Sequence, residues 1–456
     1  MVKALRTSVR TGGLRQGGLQ AGLGSDSVFA TSSLDLNFAV NKNLGTLVDA
    51  TTGSNLVNFT RATSATYVGS DGLIKSATTD EARFDHDPTT GESLGLLLED
   101  EGRNLLQYSE DFTDPDWIVI NLNGTLTPDQ AVAPDGTITA ELYTEDTATS
   151  ERYFAQTSPV TSGTTYTVSI WAKQASGDRY LGLVLPSAGF GVNCIASFTL
   201  SGAGSYNITT SGTGTTADIQ QFPNGWYRCW LTSQATATVS PAAQFRLSSS
   251  STNGTQSYTG DGTSGIYVWG AQFEAGSSPT SYIPTENNPL GVTRAADVAS
   301  IGGSDFSSWY RQDEGTVFVD VFNRAIYSGT NSFPYIAQFD DGTNTERISL
   351  DHSVLAGGYR TQYIVRDGDI NQASITAQSG LATGAAKWSA AYGLSSFASA
   401  SNGAVAVSVG IGTRTIPTVN RLQIGIGFGT QYNGTLKRLT YWPVRLENNV
   451  LQAITQ

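Results

Sequence analysis

The sequence predicts an all-β protein, two β-sandwiches in tandem behind an extended basic N-terminal arm, and three observations predict it. Glycine supplies 50 of 456 residues, Ser and Thr are abundant and there is a single Met, a makeup that favours short strands and tight turns over long helices. Apolar and polar residues alternate in many short segments punctuated by Gly, Asn, Asp and Pro, the period of a strand with one buried face. The chain is also too long for one ordinary core, so more than one domain is expected.

Residues 1–30 read as the arm. Lys3, Arg6, Arg10 and Arg15 occur there without an acid before residue 24, among six glycines that make an isolated helix improbable. Such a segment either stays a tail without a role or orders against a larger acidic partner, with its charges steering the encounter, and docking is the expectation, ahead of direct nucleic-acid contact. The other 22 of 26 basic residues and all 39 acids follow, and the net charge of −13 argues against nucleic acid as the partner of the main body. No apolar run reaches membrane-spanning length and no signal-peptide pattern is visible, so neither membrane insertion nor Sec export is expected.

Residues 31–105 alternate in "LDLNFAV" and in short strands around Gly and Asn turns, and read as a small strand-rich linking module. From 106 to 285, "TYTVSIWAK", "RYLGLVL", "NCIASFTL", "GWYRCWLT", "AAQFRLSS" and "GIYVWGAQFE" form a closely spaced set whose two-faced strands require two sheets over one core, a jelly-roll sandwich. Cys194 and Cys229 share register with apolar neighbours inside it, as two buried thiols or a disulfide. Pro279, Pro284 and Pro289 then make a semi-rigid strap. A second sandwich over 290–456 runs from "GTVFVDVF" to "GTLKRLTYWP". In its last strand Leu439 and Tyr441 face the core, while Arg438, Thr440 and Trp442 face outward. Pro443 stops the strand, and Leu446, Val450, Leu451 and Ile454 follow at helical spacing, with Asn448 as the expected cap. "FTRAT" at 59–63 recurs as "VTRAAD" at 292–297, which places comparable connections before each module.

The ordered blocks "LGLLLEDEGRNLLQYSEDF", "DW" at 116–117, "GTTYTVSIWAK", "NGWYRCWLT", "VWGAQFEAGSSPTSYIPT" and "VTRAAD" resemble the modules of phage head-spike and fibre proteins. In those, a carbohydrate-binding-like jelly roll precedes a second domain. "GTLKRLTYWPVRLENNVLQAIT" resembles the end of their concanavalin A-like, laminin G-like sandwiches. The resemblance spans residues 31–456 and implies a structural appendage on the virion surface, on head or tail, assembled in the host cytoplasm. It further implies attachment to other virion proteins through the N-terminus, and a host surface glycan as ligand. Fibres of this kind are commonly homotrimers, yet no heptad run or triple β-helix repeat here enforces one. The alternatives are a decoration or spacer protein without a ligand, and a glycan hydrolase.

For glycan binding, exposed aromatics would stack on a pyranose beside polar side chains. Trp226, Arg228 and Trp230 share the face opposite Cys229, Trp442 faces outward near the C-terminus, and Trp171 and Trp269 raise the same question. Hydrolysis would need two carboxylates flanking the bond. Asp320, Glu274 and Glu99 each lack a mate on their own strand face, so no catalytic residue and no cofactor is assigned. "DDGTNTE" at 340–346 and "GDGTSG" at 260–265 gather oxygen ligands suited to Ca²⁺, but Asp-Gly is equally the ordinary turn signal, and no metal ligand is assigned.

Overall fold

The computed structural model describes residues 25–39, 46–118, 122–255, 257–288, 290–324, 334–355, 358–380, 383–394, 396–410, 414–428 and 431–456. Lys3, Arg6, Arg10, Arg15 and Pro289 lie outside the described residues. Two β-sandwiches built from antiparallel sheets bear out the expected class. The C-terminal sandwich has an eight-stranded sheet in the order Val407–Gly410, Ser396–Ser401, Gly384–Gly393, Glu314–Asn323, Gly434–Trp442, Ser93–Leu98 and Phe84–His86, with Leu34–Asn37 also paired to Gly434–Trp442. Its partner sheet runs Asn58–Thr60, Val298–Gly302, Arg421–Ile424, Tyr335–Asp340, Arg347–Leu355, Gly358–Asp367 and Ile370–Ser379.

Residues 31–105 are therefore not a separate linking module. They supply strands to both sheets of the C-terminal sandwich, and Leu34, Leu36, Leu96 and Leu98 share one buried core with Val317, Val319, Leu436, Leu439 and Tyr441. A segment this small and polar buries its apolar face by joining sheets begun hundreds of residues later.

The jelly roll is inserted into that sandwich. One sheet runs Arg152–Thr157, Ala242–Ser248, Tyr180–Leu185, Cys194–Thr199 and Ser205–Thr210; the other runs Thr216–Gln221, Trp226–Gln234, Thr165–Ser176, Gly265–Ala275, Ala140–Glu145 and Gly124–Ala131. Val168, Ile170, Cys194, Cys229 and Leu231 lie in the core between them, and both cysteines are free thiols. Gly270, at φ +67, sits where the ladder to Thr165–Ser176 shifts register, and a Cβ there would meet the Trp171 ring at 2.9 Å. The bulge re-aims the strand so that Val268 and Ala271 both reach the core. Ser205–Thr210 and Thr216–Gln221 escape sequence reading because their side chains are largely exposed and each strand carries only two alternating apolar residues, Tyr206 and Ile208 in one and Ala217 and Ile219 in the other.

The chain enters the jelly roll along Gly102–Asn104 and leaves along Val292–Arg294, and these two strands pair antiparallel. Beside this ribbon lies a buried ion cluster. The Asp297 carboxylate accepts from the Arg61 guanidinium at 3.1 Å, from Arg83 at 2.5 Å and from the Glu99 backbone N–H at 2.9 Å. Glu99 accepts from Arg83 at 2.8 Å, from the Ser281 N–H at 2.8 Å and from its hydroxyl at 2.7 Å, with Arg294 Nε 3.6 Å away. Three guanidiniums face two carboxylates, and the surplus positive charge is met by carbonyls of Thr63, Thr66, Thr78 and Asp100. The recurring arginines of "FTRAT" and "VTRAAD", Arg61 and Arg294, thus converge on one cluster.

The two ends of the described chain meet on the outer face of the eight-stranded sheet. Helix Asn448–Ile454, which follows the last strand as the helical spacing predicts, packs Leu451 and Ile454 onto Trp442 and Phe318 on that face. Its N-cap is Glu447 rather than Asn448, because the Asn448 amide oxygen accepts from Arg445 instead. The last residues of the expected arm are also ordered, as helix Ser25–Phe29, with the Phe29 ring 5.2 Å from Phe318 and 5.5 Å from Trp442. No described helix is long and apolar enough to cross a membrane.

Residues 296–456 expressed alone are expected to lack the near-UV circular dichroism of a folded sandwich, and joining 25–101 to 296–456 through a short Gly/Ser linker should restore it; cooperative melting of 296–456 alone would refute the discontinuous domain. Asp297→Ala strands two guanidiniums in the interior and should cost about 3–5 kcal/mol in denaturant unfolding. Burial opposes ionisation of Glu99, but Arg294, Arg83 and Ser281 outweigh it and hold the carboxyl well below the usual range. A carboxyl depressed in the folded state stabilises fully above its unfolded value of about 4.3, and that stability is lost as pH falls toward the folded value. Glu99→Gln should therefore flatten the acid limb of a melting temperature against pH curve; an unchanged slope would show that Glu99 does not carry it.

Candidate functional site

An open cleft of about 850 Å³ lies along the Phe84–His86 edge of the eight-stranded sheet. One wall is the segment Thr46–Val48 with Asn55, closed by a bridge between Val48 and Asn55. The turn between them is built on Asp49, whose carboxylate accepts from the Asp35 N–H at 2.8 Å and from the hydroxyls of Thr51 at 2.6 Å and Thr52 at 2.7 Å. Burial works against its ionisation, yet these hydrogen bonds win and hold the Asp49 carboxyl below its ordinary value.

The opposite wall is the hairpin Ala65–Val68 and Ile74–Ala77, in which Tyr67 and Lys75 are directly paired across the strands and present a ring and an ammonium together. Gly72 turns the hairpin at φ +76; a Cβ there would meet Pro223 Cγ and the Pro88 carbonyl, both at 2.4 Å, so only glycine lets the tip seat against the jelly roll. Asp71 in the same turn pairs with Lys75 Nζ at 2.8 Å. Phe84 and His86 come from the sheet edge. His86 Nδ1 lies 3.0 Å from the Val68 carbonyl, an acceptor only, so Nδ1 carries the proton. Glu81 is oriented by the backbone N–H and hydroxyl of Thr78, at 2.7 and 3.0 Å.

Tyr67 and Phe84 are half-buried and the Asp71, Glu81 and Asn55 side chains are exposed. Partial burial and the Glu81 carboxylate raise the Tyr67 phenol above its ordinary value against Lys75, with Asp71 and Asp85 adding to the rise. The cleft thus offers two aromatic surfaces ringed by carboxylate, ammonium, amide and hydroxyl groups, at a volume within the roughly 300–1,000 Å³ of small-ligand sites.

The residues selected from sequence lie elsewhere. Trp226 and Arg228 do face away from Cys229, but that outer face is covered by Ile74 of the hairpin and Tyr282 of the strap, which pack with Trp171, Trp226 and Trp269. Trp226 is 1% exposed and its Nε1–H donates to the Val132 carbonyl at 3.0 Å. Arg228 lies 4.3 Å from the Trp171 ring and donates to the Thr280 carbonyl at 2.8 Å; burial pulls its guanidinium down to about 10 despite Glu274 and Glu99. Trp442 is fully buried, its Nε1–H donating to the Val28 carbonyl at 2.9 Å. These three are corrected from ligand contacts to packing residues, because another part of the chain covers each outward face. Trp230 alone of the four is half-exposed.

The three singled-out carboxylates do not converge on a bond-breaking pair. Glu99 belongs to the ion cluster. Glu274 accepts from Gln272 at 2.5 Å and from the Thr280 N–H and hydroxyl at 2.9 and 2.7 Å. Asp320 sits between the cross-strand partners Lys387 and Arg438 on the outer face of the eight-stranded sheet. At the two Asp-Gly turns the carboxylates serve the turn itself: Asp341 accepts from the Thr343 N–H and hydroxyl, and Asp261 from Thr263 and Ser264. Among the described residues no three His, Cys, Asp or Glu side chains gather as a metal site. The cleft residues were missed because "TYVGSDGLIKSA" reads as an ordinary hairpin; its signal was the pairing of Tyr67 with Lys75 across the Ser-Asp-Gly turn.

No family model and no curated protein matches the chain. Among solved structures, the chain is similar to the CBM40 domain of the Ruminococcus gnavus IT-sialidase bound to alpha2,6 sialyllactose, at 15% identity over 32% of this chain and 85% of that one, with a TM-score of 0.26. It is similar to the mouse laminin alpha1 chain domains LG4-5 at 9% identity over 76% and 90%, with a TM-score of 0.22. A botulinum neurotoxin type C structure, whose cell entry depends on two ganglioside molecules, aligns at 9% identity over 35% and 40%, with a TM-score of 0.28. At this degree of overlap the likeness carries no inference about the ligand of this chain.

Proposed function

We propose that this chain is a structural phage appendage, a head spike or fibre or a tail fibre, that docks to other virion proteins through its basic N-terminal arm and binds a host surface glycan in the cleft between Asn55 and the Tyr67–Lys75 hairpin. The observation that carries the binding reading is the open cleft with half-buried Tyr67 and Phe84 among polar groups, since a pyranose presents an apolar face for stacking and hydroxyls around its rim. Trp230 serves as an auxiliary stacking surface. The virion setting is supported by the ordered blocks resembling phage head-spike and fibre modules, and by an arm of four cations without an acid before residue 24. Helix Ser25–Phe29 packs its Phe29 ring on Phe318 and Trp442, whereas the cleft borders the edge strand Phe84–His86. Weak single-site affinity would be multiplied by copies on one particle. The reaction class is binding, not hydrolysis.

On a glycan array and by calorimetry, the full chain should bind a subset of glycans, and Tyr67→Ala should weaken that binding at least about tenfold, a loss of roughly 1.4 kcal/mol, while leaving the melting temperature within a few degrees. Absence of glycan binding by the wild-type chain would instead favour the pure spacer. Deleting residues 1–24 should leave near-UV circular dichroism and melting unchanged but remove the protein from purified particles, and reversing Arg6, Arg10 and Arg15 to Glu should lower incorporation; normal copy number in either variant would place the anchor elsewhere.

A further inference from the structure

Resting on that reading, we infer that the cleft selects glycans without acidic groups and discriminates against sialylated or sulfated ones, with Asp71 and Glu81 as the specificity-determining residues. Recognition of a sugar carboxylate or sulfate calls for a free cation, best an arginine fork. Among the described residues lining the cleft, Lys75 is the one lysine or arginine, and its ammonium is already held by Asp71 at 2.8 Å. Glu81 adds a second carboxylate on the same wall, so the charged groups there sum to an anion. The nearby arginines cannot turn to the ligand: Arg61 and Arg83 are 0% exposed at their side chains and bound to Asp297 and Glu99, and Arg324 is paired with Asp85.

The other charged groups around the hairpin do not reverse this balance. Asp87 accepts from the Thr89 N–H and hydroxyl in its own turn, Asp80 accepts from the Arg61 N–H, and Lys437 is paired with Glu92 at 3.2 Å. An acidic sugar stacked on Tyr67 would have to displace Asp71 from Lys75 and still lie beside Glu81, whereas a neutral sugar can donate hydroxyls to both carboxylates and leave the ion pair intact.

The test uses the full chain and paired glycans that differ only in terminal sialic acid, titrated by calorimetry at low and at physiological salt. The asialo form should bind at least about tenfold tighter at low salt, with the gap narrowing as salt screens the repulsion. The double variant Asp71→Asn with Glu81→Gln should close most of the gap by tightening binding of the sialylated form, and a gap of unchanged size would overturn the assignment to these two carboxylates; both positions are exposed, and unchanged melting verifies folding. Equal or tighter binding of the sialylated glycan, still lost in Tyr67→Ala, would overturn the selectivity and leave the cleft as the glycan site. Binding of both forms untouched by Tyr67→Ala, or binding of neither, would overturn the cleft reading and the selectivity with it.

Discussion

The structure depends above all on the buried ion cluster around Glu99 and Asp297. Five charged side chains and one hydroxyl from three stretches of chain meet there with almost no access to water: Arg61, Arg83 and Glu99 from the first strands, Ser281 from the strap, and Arg294 and Asp297 from the start of the second half. Gln431 donates to the carbonyls of both Glu99 and Asp297, at 2.9 and 2.5 Å, and brings in the C-terminal part. Desolvating such groups is costly, so the cluster is tolerable only when every partner is in place. That requirement makes it a register device: a shift of any contributing segment strands a charge in the interior.

Its position explains the domain arrangement. The jelly roll leaves and re-enters the sandwich as a two-stranded ribbon beside the cluster, and the strap that follows it lays Ser281 on Glu99 and Tyr282 on Trp171 and Trp269. One sheet face of the inserted domain is thereby committed to the junction. Outward-facing tryptophans that would suit a lectin serve instead as the packing between two sandwiches.

The same commitment moves the accessible chemistry to the hairpin and the sheet edge. Arg61 and Arg83 flank the hairpin in sequence and anchor its base to the cluster, while Gly72 seats its tip on Pro223. Tyr67 and Lys75 are therefore held on a short ribbon fixed at both ends, and a ligand pays little to order them. Part of this site was legible: the alternation and the Ser-Asp-Gly turn mark a hairpin and place Tyr67 and Lys75 on one face. The other wall, from Thr46 to Asn55, was not, since its approach to the hairpin depends on sheet pairings far along the chain.

What the sequence by itself determined is local. Period-two alternation decides which side chains of a strand share a face, and it correctly set Leu439 and Tyr441 inward, Cys194 and Cys229 in a common core and Trp226, Arg228 and Trp230 on the opposite face. Turn chemistry likewise marked the Asp-Gly loops. What only the tertiary structure decided is which distant segment pairs with each strand edge and which covers each outward face. Leu34–Asn37 joins Gly434–Trp442, Phe29 and the C-terminal helix bury Trp442, and the hairpin and strap bury Trp226 and Trp171. The physical reason is that a strand's pattern specifies two faces and two edges but carries no record of their partners, so exposure, and with it the location of a binding site, emerges only when the long-range pairings close.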